Sequence, residues 1–393
     1  MANKVGSGRA AGPDAKAASA EATRMALEGL GGSAPAFGFV FSSPALPLSE
    51  CLRTASGLAR GARLMGCTTA GEFNERGLIH GGVAVLLVST DSPHLAQTAR
   101  GVAAAPAAAA KALCEGFHPA ASSARNKGFV CSTTLTLVDG LSGAGERFVD
   151  AMVENTQALH QVVGGAAGDE GKFVATEVGE PERAGTDMAA ALHLYTRTPW
   201  GVGIGHGLEP TTAKMRVTRA KGNVVQEIDG RPAFAVYQDH ARERGVTLSA
   251  ATAGEYLIAN ELGILVAGKV SRARAPLSVG ADGSLSCAAE VPQGAHVAIL
   301  DGRPDAMVAA AREAAEEALQ NLQGQPPAGV LLFDCVCRGL ILKDGFQREI
   351  DAIRSVMGEV PVAGFLTYGE IASYSGRIES WHNTTAVVLA IPR

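Results

Sequence analysis

Residues 63–72 read Arg63-Leu-Met-Gly-Cys-Thr-Thr-Ala-Gly-Glu72, an apolar strand running into a glycine turn that ends on a carboxylate. Near the other end of the chain, residues 360–370 read Val360-Pro-Val-Ala-Gly-Phe-Leu-Thr-Tyr-Gly-Glu370. Both contain Gly-x-x-Thr-x-Gly-Glu, at 66–72 and 364–370. Between them, Val162-Val-Gly-Gly-Ala-Ala-Gly-Asp169 reads as a middle copy one residue shorter, with Asp169 in place of the glutamate. One such turn arises easily by chance. Three with matching flanks mark an internal repeat.

The flanks do match. Ala-rich helical segments precede at 17–30, 106–116 and 304–322, followed by short apolar runs at 37–41, 128–131 and 329–333. Continuous apolar runs bounded by turn residues suit strands buried on both faces. A second helix is expected at 52–60, 145–159 and 345–357, the last with Phe346, Ile350 and Ile353 at helical spacing. A closing strand follows each glycine turn, at 82–88, 188–195 and 385–391. The order helix-strand-helix-strand-turn-strand defines an α/β protein of mixed sheets covered by helices. Residues 210–300 break the pattern. They show strands at 215–218 and 224–228, a helix from Pro232 to about Arg244, and an Asp282-Gly283 hairpin signal. This divides the chain into residues 1–15 as a mobile, low-complexity tail, 16–210 as one module and 211–393 as a second.

Composition narrows the function. With 393 residues, 47% hydrophobic and 19% charged, the chain can bury a substantial core. A net charge of −5 with scattered Lys and Arg argues against a nucleic-acid stripe. No apolar run reaches the roughly 20 residues of a membrane span, and the first residues lack a secretory signal. Seven cysteines without staple-like spacing fit reduced thiols and a cytoplasmic location. The low aromatic content and 48 glycines suggest tight turns and thin helices lying close on sheets.

The turns at 66–72 and 164–169, the stretch Gly81-Gly-Val-Ala-Val-Leu-Leu87, the segment 217–233 and, in the C-terminal half, Phe333-Asp-Cys-Val-Cys-Arg338, Gly364–Glu370 and His382-Asn-Thr-Thr385 together resemble the FIST proteins, named for F-box and intracellular signal transduction. The similarity spans nearly everything after residue 20 and includes both the N-terminal and C-terminal modules. It implies a small-molecule sensor working beside a histidine kinase or a cyclic-di-GMP enzyme, with amino acids suggested as ligands. One stand-alone subgroup consists of haem proteins that sense nitric oxide and act on a partner kinase. No kinase, F-box or GGDEF segment occurs here, which makes that subgroup an attractive parallel but does not establish it. Self-association is left open.

The doubled turns supply the candidate ligand site: Gly66, Cys67, Thr68, Thr69, Gly71 and Glu72 from the first, Thr367, Tyr368, Gly369 and Glu370 from the second. Glycine permits close backbone approach, the threonines offer hydroxyls and the glutamates could hold an ammonium group. The bland alternative is that the glycines make the turns and the carboxylates cap them. Arg338, following an apolar run, needs a partner: either a ligand carboxylate or haem propionate, or a structural ion pair with Glu370 or Glu72. Asn383 joins the list through the C-terminal motif. Cys335 and Cys337 alternate along an expected strand, where a soft metal or a redox pair competes with ordinary buried thiols. For haem, one axial histidine suffices, and His193, His206 and His240 are the alternatives. An enzyme would have to use Cys67 or Thr68 with Glu72 as base, and no nucleophile elbow, phosphate loop or zinc-protease helix accompanies them. The expectation is a sensor, not an enzyme.

Overall fold

The computed structural model describes residues 2–157, 160–374 and 380–393. It is an α/β protein in which three six-stranded mixed sheets are built to one plan. The first runs, in spatial order, Lys4–Ala11, Gly82–Ser89, Phe37–Ser42, Arg63–Thr68, Val178–Glu180, Arg183–Gly185. The second runs His94–Arg100, Met188–Thr196, Cys131–Val138, Gln161–Ala166, Glu370–Ser373, Trp381–His382. The third runs Gly201–Gly205, Ala386–Pro392, Pro327–Cys335, Val362–Thr367, Glu72–Asn74, Gly77–Ile79. In each, the third and fourth strands are parallel and their neighbours antiparallel.

The last two strands of every sheet come from another repeat. The first unit gives 72–79 to the third unit's sheet, the third gives 370–382 to the second, and the second gives 178–185 to the first. The exchange closes a ring with approximate threefold symmetry. A cut at residue 210 therefore does not separate sheets, since strands from both sides of it share two of them.

The inner faces of all three sheets meet in one core that includes Phe39, Phe41, Leu137, Leu192, Phe333 and Phe365. Helices cover the outer faces: Ala15–Gly29 and Leu48–Leu58, then Pro106–Leu113, Phe117–Arg125 and Gly145–Asn155, then Pro304–Asn321 and Gln347–Met357. The expected helices and most expected strands lie within a few residues of these. The run 128–131 is displaced, its strand starting at Cys131, and the end of the helix expected over 145–159 falls at 158–159, outside the described residues.

The N-terminal segment read as a mobile tail is instead a strand, Lys4–Ala11, paired along its whole length with Gly82–Ser89. Its glycines are packing devices. A Cβ on Gly6 would stand 1.9 Å from the Ala26 carbonyl oxygen, and one on Gly8 2.1 Å from that of Ala22. The edge strand Gly201–Gly205 repeats this under Pro304–Asn321, where Gly201 and Gly203 each come within 1.9 Å of a helix carbonyl in the same sense. Small residues that look like low complexity thus let Ala-rich helices lie directly on the sheets.

Residues 208–302 are inserted between that edge strand and its helix. They form a separate nine-stranded sheet with helices Ala233–Glu243 and Ala253–Ala259 and a core around Val225, Tyr237, Leu257 and Ile299. Among the described residues no helix is long and apolar enough to cross a membrane.

Candidate ligand site at the junction of the glycine turns

The three glycine turns meet on the ring axis and hydrogen-bond to one another in a cycle. Ala70 N–H donates to Leu366 O (3.0 Å), Tyr368 N–H to Ala166 O (3.1 Å) and Gly168 N–H to Thr68 O (3.0 Å). Gly66, Gly164 and Gly364 open the turns at equivalent register. A Cβ on any of them would lie within 2.1 Å of the carbonyl of Val40, Thr136 or Leu332 on the adjacent parallel strand. The repeated glycine is a requirement of sheet packing.

The carboxylates are likewise internal. The Thr69 hydroxyl donates to Glu72, and the Gly82 N–H reaches the other Glu72 oxygen at 3.3 Å. Thr367 donates to Glu370, which also accepts the Thr385 N–H at 3.1 Å. Both glutamates are fully buried. Burial pushes Glu72 up to about 8 against these hydrogen bonds, and burial, followed by the nearby Cys335, raises Glu370 well above the usual range. Two buried carboxyls, each held by a turn hydroxyl and a backbone N–H, cap the turns and do not face a cleft. Thr68 Oγ1 accepts the Glu177 N–H at 2.9 Å, and Cys67 is fully buried with its thiol raised by burial. The structure brings the two turns together, but inside the protein.

Arg338 is also wholly buried. It lies 3.0 Å from Asp334 and 2.5 Å from Glu349, and donates to the carbonyls of His206 (2.8 Å) and Met307 (2.9 Å). It makes the structural ion pair, with partners other than Glu370 or Glu72. The strand ends at Cys335 and the short helix Val336–Leu342 begins, so Cys335 and Cys337 straddle a strand-to-helix junction instead of alternating along a strand. Among the described residues no group of three or more His, Cys, Asp or Glu side chains could hold a metal ion.

Two of the histidines are spent internally. His193 sits between the Thr134 hydroxyl (2.8 Å) and the Leu113 carbonyl (2.7 Å), and His240 between Thr211 (3.0 Å) and Tyr256 (2.8 Å). Burial lowers both to about 4. Neither ring has a nitrogen left for iron. His206 accepts the Leu208 N–H at 2.9 Å and lines a cavity of about 660 Å³ with Lys269, Glu313 and His382.

The ring is least symmetric at one place. Val178 lies opposite Cys67 as Glu72 lies opposite Phe365 and Glu370 opposite Gly165. Val178, not Asp169, therefore occupies the glutamate's position, and the middle turn is longer than its counterparts, with residues 169–176 as an insertion. That loop holds three residues at positive φ: Glu170 (57°), Gly171 (75°) and Phe173 (52°). For a phenylalanine this conformation is rare and strained. Asp169 secures it by accepting N–H bonds from Phe173 (2.8 Å), Val174 (2.6 Å) and Ala175 (3.0 Å), and a bond from the Tyr368 hydroxyl. Burial works against the Asp169 anion, but the Tyr368 bond and the three N–H donors outweigh it and hold its pKa low. Tyr368 stands where the other turns have Ala70 and Gly168, and its ring stacks on Phe173 with centroids 4.9 Å apart at 18°.

Below this pair lies a cavity of about 220 Å³. Its walls include Phe173, Tyr368, Asn383, the Cys335–Cys337 junction, and Leu277 and Cys287 of the inserted sheet. None of its described lining residues is charged. Of the lining residues, Phe173 is 51% exposed and Leu277 42%, an apolar lip at the mouth. Of the residues weighed from sequence, Tyr368 and Asn383 of the ligand-site set reach this cavity, as do Cys335 and Cys337. Phe173, Leu277 and Cys287 were missed. The length of chain between Gly168 and the next strand was the available signal. Glu146 on the helix Gly145–Asn155 pairs with Arg272 (2.5 Å) and Arg274 (3.2 Å), fastening the inserted sheet to the ring beside the cavity.

The FIST N domain matches residues 36–231 and the FIST C domain residues 233–373. The chain belongs to the FIST family, whose domains are associated with sensing small ligands in signal transduction. Uncharacterized proteins from two strains of Mycobacterium tuberculosis are 26% identical over 408 residues, covering 98% of this chain and 98% of theirs. An uncharacterized protein of Methanocaldococcus jannaschii is 35% identical over 85 residues, 21% of this chain and 16% of its own. A solved chorismatase overlays 100% of this chain and 98% of its own with a TM-score of 0.37 and 12% identity, too remote to carry an activity across.

Proposed function

We propose that the protein is a non-enzymatic cytoplasmic sensor that binds a small organic molecule in the uncharged cavity under Phe173 and Tyr368. The observation that carries this reading is the broken symmetry. Two departures from a repeated plan, the 169–176 insertion and Tyr368, stack on each other over an apolar chamber. Strain held in place beside a pocket is the usual mark of a binding element. The chamber is closed by the inserted sheet through Leu277 and Cys287, so a ligand touches both the ring and the insertion. Binding that favours one placement of the insertion shifts its population, and a histidine kinase or cyclic-di-GMP enzyme could read that shift.

Thermal shift against a metabolite panel tests the site. A ligand at a hundred times its Kd stabilises by about 2.7 kcal/mol. Leu277→Trp, placed at the exposed mouth, should fill the chamber and abolish that shift while leaving the melting temperature of the free protein within a degree or two. An undiminished shift in this variant would remove the cavity from the reading.

In the haem form of this reading the axial ligand is His206, the candidate that lines the cavity of about 660 Å³. If haem is bound there, titration with haemin gives a saturable one-to-one Soret band that His206→Ala abolishes. Non-saturable uptake unchanged by His206→Ala rejects haem and leaves the metal-free sensor.

A further inference from the structure

A second cavity of about 340 Å³ adjoins the uncharged chamber, sharing Gly140, Gly143, Asn223 and Ala288 with it. Its character is different, with Glu146, Arg147 and Asp150 in its wall. Among the described residues, each chamber contains one buried polar atom without a hydrogen-bond partner. Asn383, 2% exposed, lines the uncharged chamber, and its Oδ1 accepts nothing. Trp381, 6% exposed, lines the polar one, and its Nε1 donates to nothing. An unmade hydrogen bond at a buried atom costs about 1–3 kcal/mol, so two in adjoining cavities call for an explanation. Trp381 belongs to the short strand Trp381–His382 and Asn383 follows in the bend directly after it, so the two side chains come from neighbouring positions of the chain. The Trp381 ring is held by close contact: a Cβ on Gly145 or Gly369 would come within 2.3 Å of it. The indole donor therefore has a fixed place.

We propose that the two chambers form one site for a small, planar, uncharged molecule that carries an N–H donor and a carbonyl acceptor, the pattern of a cyclic amide. Its apolar face lies under Tyr368 and against the Cys335–Cys337 junction. Its N–H satisfies Asn383 Oδ1, and its carbonyl turns toward the shared wall and accepts from Trp381 Nε1. The uncharged lining disfavours an ionised ligand in the inner chamber, because a charge placed there would meet no counter-charge in its wall. This inference rests on the sensor reading and names the ligand class for the same cavity.

The test is equilibrium dialysis of the full chain with 2-quinolinone, its N-methyl derivative and 2-naphthoate, a planar anion of similar size. The expected result is saturable one-to-one binding of 2-quinolinone, about tenfold weaker binding of the N-methyl compound, and no competition by 2-naphthoate. Asn383→Leu should erase the tenfold difference between the first two. Trp381→Phe should weaken both and leave their ratio unchanged. Because the readout is a ratio within each variant, a general loss of stability does not imitate it. Equal binding of the N–H and N-methyl compounds, or tighter binding of 2-naphthoate, overturns the ligand class. If a different metabolite still binds and Leu277→Trp still blocks it, the sensor reading survives that outcome. If no compound of any class responds to Leu277→Trp, both readings fail.

Discussion

Replacing Arg338 by methionine is expected to cost about 3–5 kcal/mol of folding stability. The guanidinium lies wholly inside the protein between Asp334 and Glu349 and reaches three carbonyls, those of His206, Met307 and Thr384. Without it, two buried carboxylates face each other with no cation and three carbonyls lose a donor. Both carboxyls already tend upward through burial, Asp334 far above the usual range, and removal of the cation would drive them to bind protons. Urea unfolding followed by circular dichroism measures the loss. Exchanging all three residues for apolar ones, Arg338→Met with Asp334→Leu and Glu349→Leu, should recover most of it, because no uncompensated charge then remains. A residue that served a ligand would behave differently, weakening binding with little change in stability. A cost below about 1 kcal/mol for Arg338→Met would therefore return it to the candidate site.

The second large effect is on pH. Glu72 stands at about 8 in the folded protein and Glu261 at about 7, in both cases chiefly through burial. Both lie above the ordinary glutamate value, so the folded state binds more protons than the unfolded state between roughly pH 4.5 and 8. Stability is then fully present below about pH 4.5, declines as the unfolded carboxyls ionise, and is lost as the pH rises through the folded values. The Glu72 shift alone corresponds to on the order of 4–5 kcal/mol across that window. Below about pH 6.5 the buried, neutral His193 and His240, held at about 4, add stability as the pH rises, so the glutamates are read above it. Melting temperature should fall from pH 7 to pH 9, opposite to a protein held by ionised carboxylates. Glu72→Gln keeps the shape, removes the titration and should flatten the curve. A wild-type melting temperature that rises over this range would contradict the buried, neutral state of Glu72.

The repeated glycine turns identified the repeat and, with their flanks, the α/β class. Strand-and-helix order is a local property, written in the spacing of apolar residues and in the turn glycines. The same motif suggested a cleft lined by Thr69, Glu72, Thr367 and Glu370, and there local reading failed. A Thr-x-x-Glu pattern looks identical whether its carboxyl meets a ligand or caps its own turn. The difference lies in what covers it, here the neighbouring turns of the ring. The edge strand Lys4–Ala11 was taken for a tail for a related reason. Its glycines acquire their purpose only from helix carbonyls that pack on them across the fold.

From sequence alone came the threefold repeat, the distinct segment near 210–300, the family and, among the cavity residues, Tyr368, Asn383 and the Cys335 and Cys337 pair. Tertiary structure decided that the units exchange strands, that the repeated carboxyls are internal, and that residues 169–176 are an insertion with Phe173 folded onto Tyr368. Repeats share their sequence where they share the work of packing. A binding site arises where one copy departs from the others, and such a departure is recognised only when the hydrogen-bond register shows which residues stand in equivalent places.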